Sequence, residues 1–229
     1  MATRTQRSSA GGSRKPLTTE RVLQAALVLA DREGVDELSM RKLARALGYE
    51  VMSLYNHVAN KDVVLAGIAD LVAAEIEPPE TAPARRGKAA WKAGIRHTVL
   101  SAHDALDRHP WVVALWPAVS SGPHRLRFME GLLRSLRAAG LSPTLAYHGY
   151  HALMMHILGF ALLEQRTGLN DDNVVEAASQ FLARFEGEEF PHLIEHMHQH
   201  VDASPHEDDF EFVLDVILDG LDRLRPQPA

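Results

Sequence analysis

The chain has 229 residues, 46% of them hydrophobic, no cysteine and a formal net charge of −6. That length holds one large or two small domains with a proper buried core, and the missing cysteine excludes disulfides and thiol chemistry. No apolar run reaches the roughly 18 residues of a membrane span, and the basic N-terminus leads into polar Ser/Gly sequence instead of a signal-peptide core, so the expected location is the cytoplasm.

Charge is segregated along the chain. Through residue 61 ten Lys/Arg stand against six Asp/Glu, a balance of +4, while the remainder has fourteen against twenty-four, a balance of −10. A basic N-terminal part attracts phosphate, and an acidic remainder keeps the rest of the molecule off nucleic acid. Residues 1–17 are expected to form a disordered basic arm, because 1–15 is rich in Ser, Gly, Thr and Arg and has no apolar periodicity. Arg4, Arg7, Arg14 and Lys15 suit a backbone or minor-groove contact, and equally a solubilising tail.

Thr18 or Thr19, with Glu20 behind it, opens a helix whose Val22, Ala25, Ala26, Leu29 and Ala30 share one face and which ends at Gly34. The stretch LSMRKLARALGYEVMSLYNHVANKD (38–62) follows. Its Leu38, Leu43, Leu47, Val51, Leu54 and Val58 recur at helical steps. Ser39 is placed to cap a short helix from Met40, and Gly48 to end it in a left-handed turn. A second helix of about two turns then fits before Asn60, with Glu50, Met52, Ser53, Tyr55, Asn56 and His57 outward. Polar and aromatic residues on a short helix after a glycine turn suit a recognition helix in the major groove; the plainer alternative is a small surface helical hairpin.

These residues resemble the DNA-binding domain of the TetR family of bacterial one-component repressors. The match runs from about Thr18 to Leu71 and includes ERVLQAALVLADREGVDELSMRKLARALG, the LYNHVANKD signature and VVLAGIADLV. Further on, WKAGIRHTVLSAHDALDRHPWVVALWPAV and HGYHALMMHILGFALLEQ look like the C-terminal domain type of the tetracycline repressors. The resemblance implies an all-α fold, with a three-helix helix-turn-helix domain at 18–77 and a larger helical ligand-binding and dimerisation domain at 84–226. It also implies DNA contacts at Ser39, Met40 and Arg41, and at Val51, Met52, Ser53, Tyr55, Asn56, His57 and Lys61. Arg41 can fork onto guanine O6 and N7; Ser53, Tyr55, His57 and Lys61 suit phosphate; Val51 and Met52 offer apolar contact, as to a thymine methyl. Tetracycline-repressor-like sequences carry Gln-Pro where Val51-Met52 stands, so their operator does not transfer. The Tyr55 ring has a second reading, packed beneath the motif.

Asn60 is expected to cap a helix from Lys61 to about Ile76, with Pro78, Pro79 and Pro83 marking the domain junction. Later helices are expected near 85–108, 110–115, 124–139, 143–166, 172–186, 188–200 and 207–224, separated by breakers such as His109-Pro110, Ser121–Pro123 and Ala139–Pro143. The segment ALMMHILGFALLEQ is apolar nearly all round, and the last helix carries Phe210, Val213, Leu214, Ile217, Leu218, Leu221 and Leu224. In the family, the equivalents of these two helices build a four-helix bundle between protomers, which implies a homodimer here; burial within one chain is the alternative.

Thirteen histidines stand out, twelve of them beyond the helix-turn-helix. His192, His196 and His200 recur at four-residue steps near Glu195 and His198, spacing that admits a divalent metal on one helix face, or a solvated polar tract. His97, His103, His109, His148, His151 and His156 are candidates for effector contact or ordinary interior histidines. A cavity between the long C-terminal helices is expected to hold a small-molecule effector, lined by some of His97, Leu100, Ser101, Trp116, Phe128, Met129, Tyr147, His151 and Met155. No cofactor, dedicated metal ligand or catalytic residue is assigned. G-x-S-x-G, H-E-x-x-H and P-loop motifs are missing from the sequence, so the expectation is a regulator and not an enzyme; the different-class alternative is a metal-dependent helical enzyme using the C-terminal histidines. The expected partners are double-stranded DNA, a second copy of the chain and a small-molecule effector, with no membrane.

Overall fold

The computed structural model describes residues 16–79, 90–167, 171–185, 190–202 and 209–225. The N-terminal arm residues Arg4, Arg7, Arg14 and Lys15 lie outside them. The described residues contain helices and no strand. The chain divides into two compact units, Met1–Val64 and Leu65–Ala229. That division falls inside one helix, whereas the sequence marks its Pro-rich break at 78–83, of which 80–83 lies outside the described residues.

In the first unit, α1 (Thr19–Glu33) begins at Thr18, whose hydroxyl accepts from the Arg21 amide at 3.2 Å. It buries Val22, Ala26, Leu27, Leu29 and Ala30, and ends at Gly34. In α2 (Met40–Leu47), Ser39 Oγ accepts from the Lys42 amide at 3.3 Å. Gly48 then takes φ 73° and ψ 31°, the left-handed conformation an L side chain resists. Its amide donates to the Arg45 carbonyl and the Tyr49 amide to that of Ala44, a Schellman termination. The next helix, α3 (Val51–Tyr55), is shorter than the two turns expected. After Tyr55 the chain turns through Asn56 and His57, so Val58 becomes buried beside Leu54. Thr19 Oγ1 donates to the His57 carbonyl at 3.0 Å and satisfies that turn.

Asn60 Oδ1 accepts from the Val63 amide at 2.9 Å, and α4 (Lys61–Ala74) continues across the division without a break. The second unit adds α5 (Ala90–Arg108), α6 (Val112–Leu115), α7 (Pro123–Ala138), α8 (Pro143–Thr167), α9 (Asp171–Phe185), α10 (Pro191–Asp202) and α11 (Asp209–Leu224). The sequence places one start at residue 188; Phe190 is not helical and Pro191 is the first helical residue. The proline ring keeps the preceding residue out of the helical region and fits position N1. Residues 186–189 lie outside the described set.

Helices α5, α7, α8 and α11 pack on one another. Their core contains Ile95, Val99 and Leu106 from α5, Leu132 and Leu136 from α7, Leu153 and Ile157 from α8, and Leu214 and Leu218 from α11. Each such fully buried side chain contributes roughly 1.5–3 kcal/mol of transfer free energy. Gly149 permits close approach of α8 and α11, because a Cβ there would stand 3.1 Å from both Leu221 methyl carbons. Lys92 pairs with Asp219 and Asp222, and Arg96 with Glu211 and Asp215, joining α5 to α11. Helices α9 and α10 pack chiefly on each other, with Ala178 and Leu182 of α9 inward.

Candidate nucleic-acid interface and effector region

The expected DNA contacts gather on α2, α3 and the start of α4. Arg41 is exposed on α2, and so is Arg45 one turn later on the same face. Lys42, between them in sequence, lies 2.6 Å from Glu37 and 3.4 Å from Glu33. The Glu37 hydrogen bond, aided by Glu33, raises the Lys42 pKa and occupies its charge locally. Arg45 was absent from the sequence expectation, although its i,i+4 relation to Arg41 is a signal readable there.

On α3, Met52 is 74% exposed, and Tyr55 at 43% points its ring outward instead of packing beneath the motif. Asn56 is exposed, while Val51, Ser53 and His57 are half-buried. Leu54 holds the helix from below with no exposure. Ser39 is exposed at its capping position, and Met40 and Lys61 are half-buried. Two fully formed caps and a left-handed glycine therefore aim a short helix with an apolar and aromatic outer surface away from its supporting core. A Met, a Tyr and an Asn so presented fit base edges, a thymine methyl and phosphate oxygens.

The nine residues expected around an effector cavity do not share one setting. Trp116 and Phe128 are buried and meet edge to face, ring centroids 6.2 Å apart. Leu100 and Met129 are half-buried. Ser101 Oγ accepts from the Glu77 amide at 2.9 Å, and His97 Nε2 lies 2.7 Å from the Glu77 carboxylate, so both are tied to the segment after α4. Tyr147, His151 and Met155 depart from the expectation. They recur at four-residue steps on the outer face of α8 and are exposed, Met155 at 63%. The inner face of α8 is already filled by Leu153, Met154, His156 and Ile157, which leaves these three no room inside.

Interior polar groups were harder to see in the sequence. Arg125 is 5% exposed; it stacks 4.6 Å above the Trp116 ring and donates to the carbonyls of Trp116 and Val119. Burial lowers its pKa, partly offset by the charge of Asp70. Its Nε and the Oγ1 of fully buried Thr98 have no hydrogen-bond partner. His156 Nε2 donates to the Phe210 carbonyl at 2.9 Å, and its ring stacks on the Phe210 ring at 4.3 Å; burial lowers its pKa.

Among the described residues no three or more His, Asp or Glu side chains converge as a metal-binding group, and no helix is long and apolar enough to cross a membrane.

Comparison with known proteins bears directly on these features. A model of the bacterial regulatory proteins of the tetR family matches residues 22–68, and one of the tetracyclin repressor-like C-terminal domain matches 82–225. The HTH-type transcriptional repressor DrrR1 of Streptomyces coeruleorubidus is 30% identical over 97% of this chain and 84% of its own length. The tetracycline repressor protein class E of Escherichia coli is 30% identical over 72% of this chain and 78% of its own length. The Streptomyces coelicolor TetR family protein ActR, in complex with actinorhodin, superposes with a TM-score of 0.75 at 28% identity, covering 93% of this chain and 100% of that one. Members of the family are regulators that bind DNA as homodimers and respond to small-molecule effectors; a metal-dependent helical enzyme has no support among them. With its helix-turn-helix and its helical C-terminal domain both matched, the chain belongs to the TetR family of bacterial regulatory proteins and is a DNA-binding transcriptional regulator.

Proposed function

We propose that the protein is a cytoplasmic repressor that binds a near-palindromic operator as a homodimer and leaves it when a small molecule occupies the second unit. The observation that carries the DNA part is the outward α3, with Met52 and Tyr55 exposed and Arg41 and Arg45 beside them on α2. Two such helices related by a two-fold axis would enter successive major grooves about 34–36 Å apart. Ser39, Met40, Val51, Ser53, Asn56, His57 and Lys61 complete the contact set, with phosphate the partner of the polar ones.

The outer faces of α8 and α11 support dimerisation. Tyr147, His151, Met155 and Leu162 line one, and Phe212, Val216 and Leu224 the other. Gly159 and Gly220 lie on these stripes, and a Cβ at either would meet nothing within 4 Å, so a partner helix can approach closely. An apolar surface of that extent on a soluble chain calls for a cover, and a symmetric one buries both copies at once.

The effector reading is supported by Trp116, Phe128 and Arg125: two buried aromatic rings in edge-to-face contact, with a buried guanidinium over the Trp116 ring whose Nε has no hydrogen-bond partner, are the chemistry of small-molecule sites. DrrR1 is named a repressor and ActR is seen with actinorhodin, which favours a bulky effector over a metal ion alone. Relief of repression needs the ligand to prefer a protomer arrangement unfit for the operator by a few kcal/mol.

One experiment tests the whole reading. Sequences selected by the purified protein from random DNA should converge on an inverted repeat, and compounds screened against that complex should include some that release it. Selection that yields no inverted repeat would overturn the proposal.

A further inference from the structure

Helix α10 carries His192, His196 and His200 at four-residue spacing, and neither DNA binding nor the effector region employs them. The second pair has closed together. The Nε2 atoms of His196 and His200 are 3.4 Å apart, while their ring centroids are 4.8 Å apart and their planes cross at 77°. The nitrogens stand closer together than the ring centres, so the pair approaches through its Nε2 atoms.

That separation has a chemical meaning. Two imidazoles on a tetrahedral zinc ion, each at about 2.0–2.1 Å, hold their nitrogens about 3.3–3.4 Å apart. Without an ion, one neutral ring donates to the other; with one, both nitrogens turn lone pairs to the metal. We propose that His196 and His200 form a bidentate surface site for a divalent transition-metal ion, with water in the remaining positions. Imidazole ligands select zinc, copper or nickel over magnesium or calcium. His192 is not part of it, since its ring is 96% exposed, sits 3.8 Å from Glu195 and lies two turns from His200.

The site has a structural consequence. Helix α10 has 12 residues, none of its described side chains is fully buried, and it packs chiefly on α9. A helix of that length is marginal without tertiary support. An ion bridging positions i and i+4 couples its binding free energy to the formation of that turn, so metal would order the α9–α10 pair.

The test uses the full chain freed of any affinity tag, titrated with Zn2+ by equilibrium dialysis and followed by amide hydrogen exchange. Zn2+ should slow exchange in α10. His196→Asn and His200→Asn should each weaken a single site by roughly tenfold or more, the loss seen even for an outer-shell partner, and abolish the slowing, while His192→Asn retains both. Zn2+ binding that is indifferent to His196→Asn and His200→Asn, or an α10 whose exchange ignores Zn2+, would overturn the proposal.

Discussion

The Asp70 carboxylate fills the space that Gly122 leaves open: a Cβ on Gly122 would stand 2.3 Å from the Asp70 Cγ. Gly122 is the N-cap residue of α7 and has no side chain with which to cap it. Asp70, on α4, does so instead, accepting from the Arg125 amide at 2.9 Å and the His124 amide at 3.3 Å. Pro123 removes one further amide that would need a partner. A negative charge at a helix N-terminus is also favoured by the helix dipole.

Gly122→Ala should therefore destabilise the protein by about 2 kcal/mol or more, since either the carboxylate is displaced from two amides or the backbone shifts. Asp70→Ala should cost about 1–3 kcal/mol through buried amides left unpaired. In the Asp70→Ala background, Gly122→Ala should become much milder. Urea unfolding of the four proteins measures this coupling; additive losses would show that the two residues act separately.

On DNA, Arg41→Ala should relax specificity at one base pair, at a cost of about 1–3 kcal/mol. Arg45→Ala and Lys61→Ala should weaken operator and random DNA alike and reduce the slope of log K against log salt by about 1 each. Lys42→Ala should matter less, because Glu33 and Glu37 already engage that ammonium. Salt-dependent fluorescence anisotropy on both duplexes separates these outcomes, and a salt slope left unchanged by Arg45→Ala would remove it from the interface.

Val216 is 56% exposed in the protomer. Val216→Asp should leave helical content and protomer folding intact while placing a charge in the apolar outer face of α11 that we propose meets a second copy. Sedimentation should then show a single chain at micromolar concentration, with binding to an inverted repeat reduced to that of a half-site. A Val216→Asp protein that still sediments as a dimer would move the interface elsewhere.

His156 gives a pH signature. Burial holds its folded pKa below the ordinary 6.5, so the folded chain resists a proton that the unfolded chain accepts. The sign follows: above about pH 7.5 both states are neutral and there is no effect. As pH falls through the unfolded value stability is lost, by at most about 1.4 kcal/mol per pH unit, until the folded pKa is reached. His156→Gln should flatten the dependence of the urea midpoint between about pH 7 and 5.5 relative to the parent chain. Parallel curves for the two proteins would assign the pH response to other histidines.

What the residue string determined was local and covalent in reach. Ser39, Gly48 and Asn60 announce caps and a left-handed turn within a few residues of where they act, and those turns formed at the expected positions. The helical period likewise marked each long helix, because burial of one face repeats every turn. Tertiary packing decided matters that depend on distant neighbours. It turned Tyr147, His151 and Met155 outward by filling the opposite face of α8, and shortened α3 so that Val58 could reach the core. It also brought Asp70 to an amide 55 positions away. No periodicity records such a contact, since the two amide hydrogen bonds that offset the carboxylate's desolvation form only when α4 and the start of α7 meet in space.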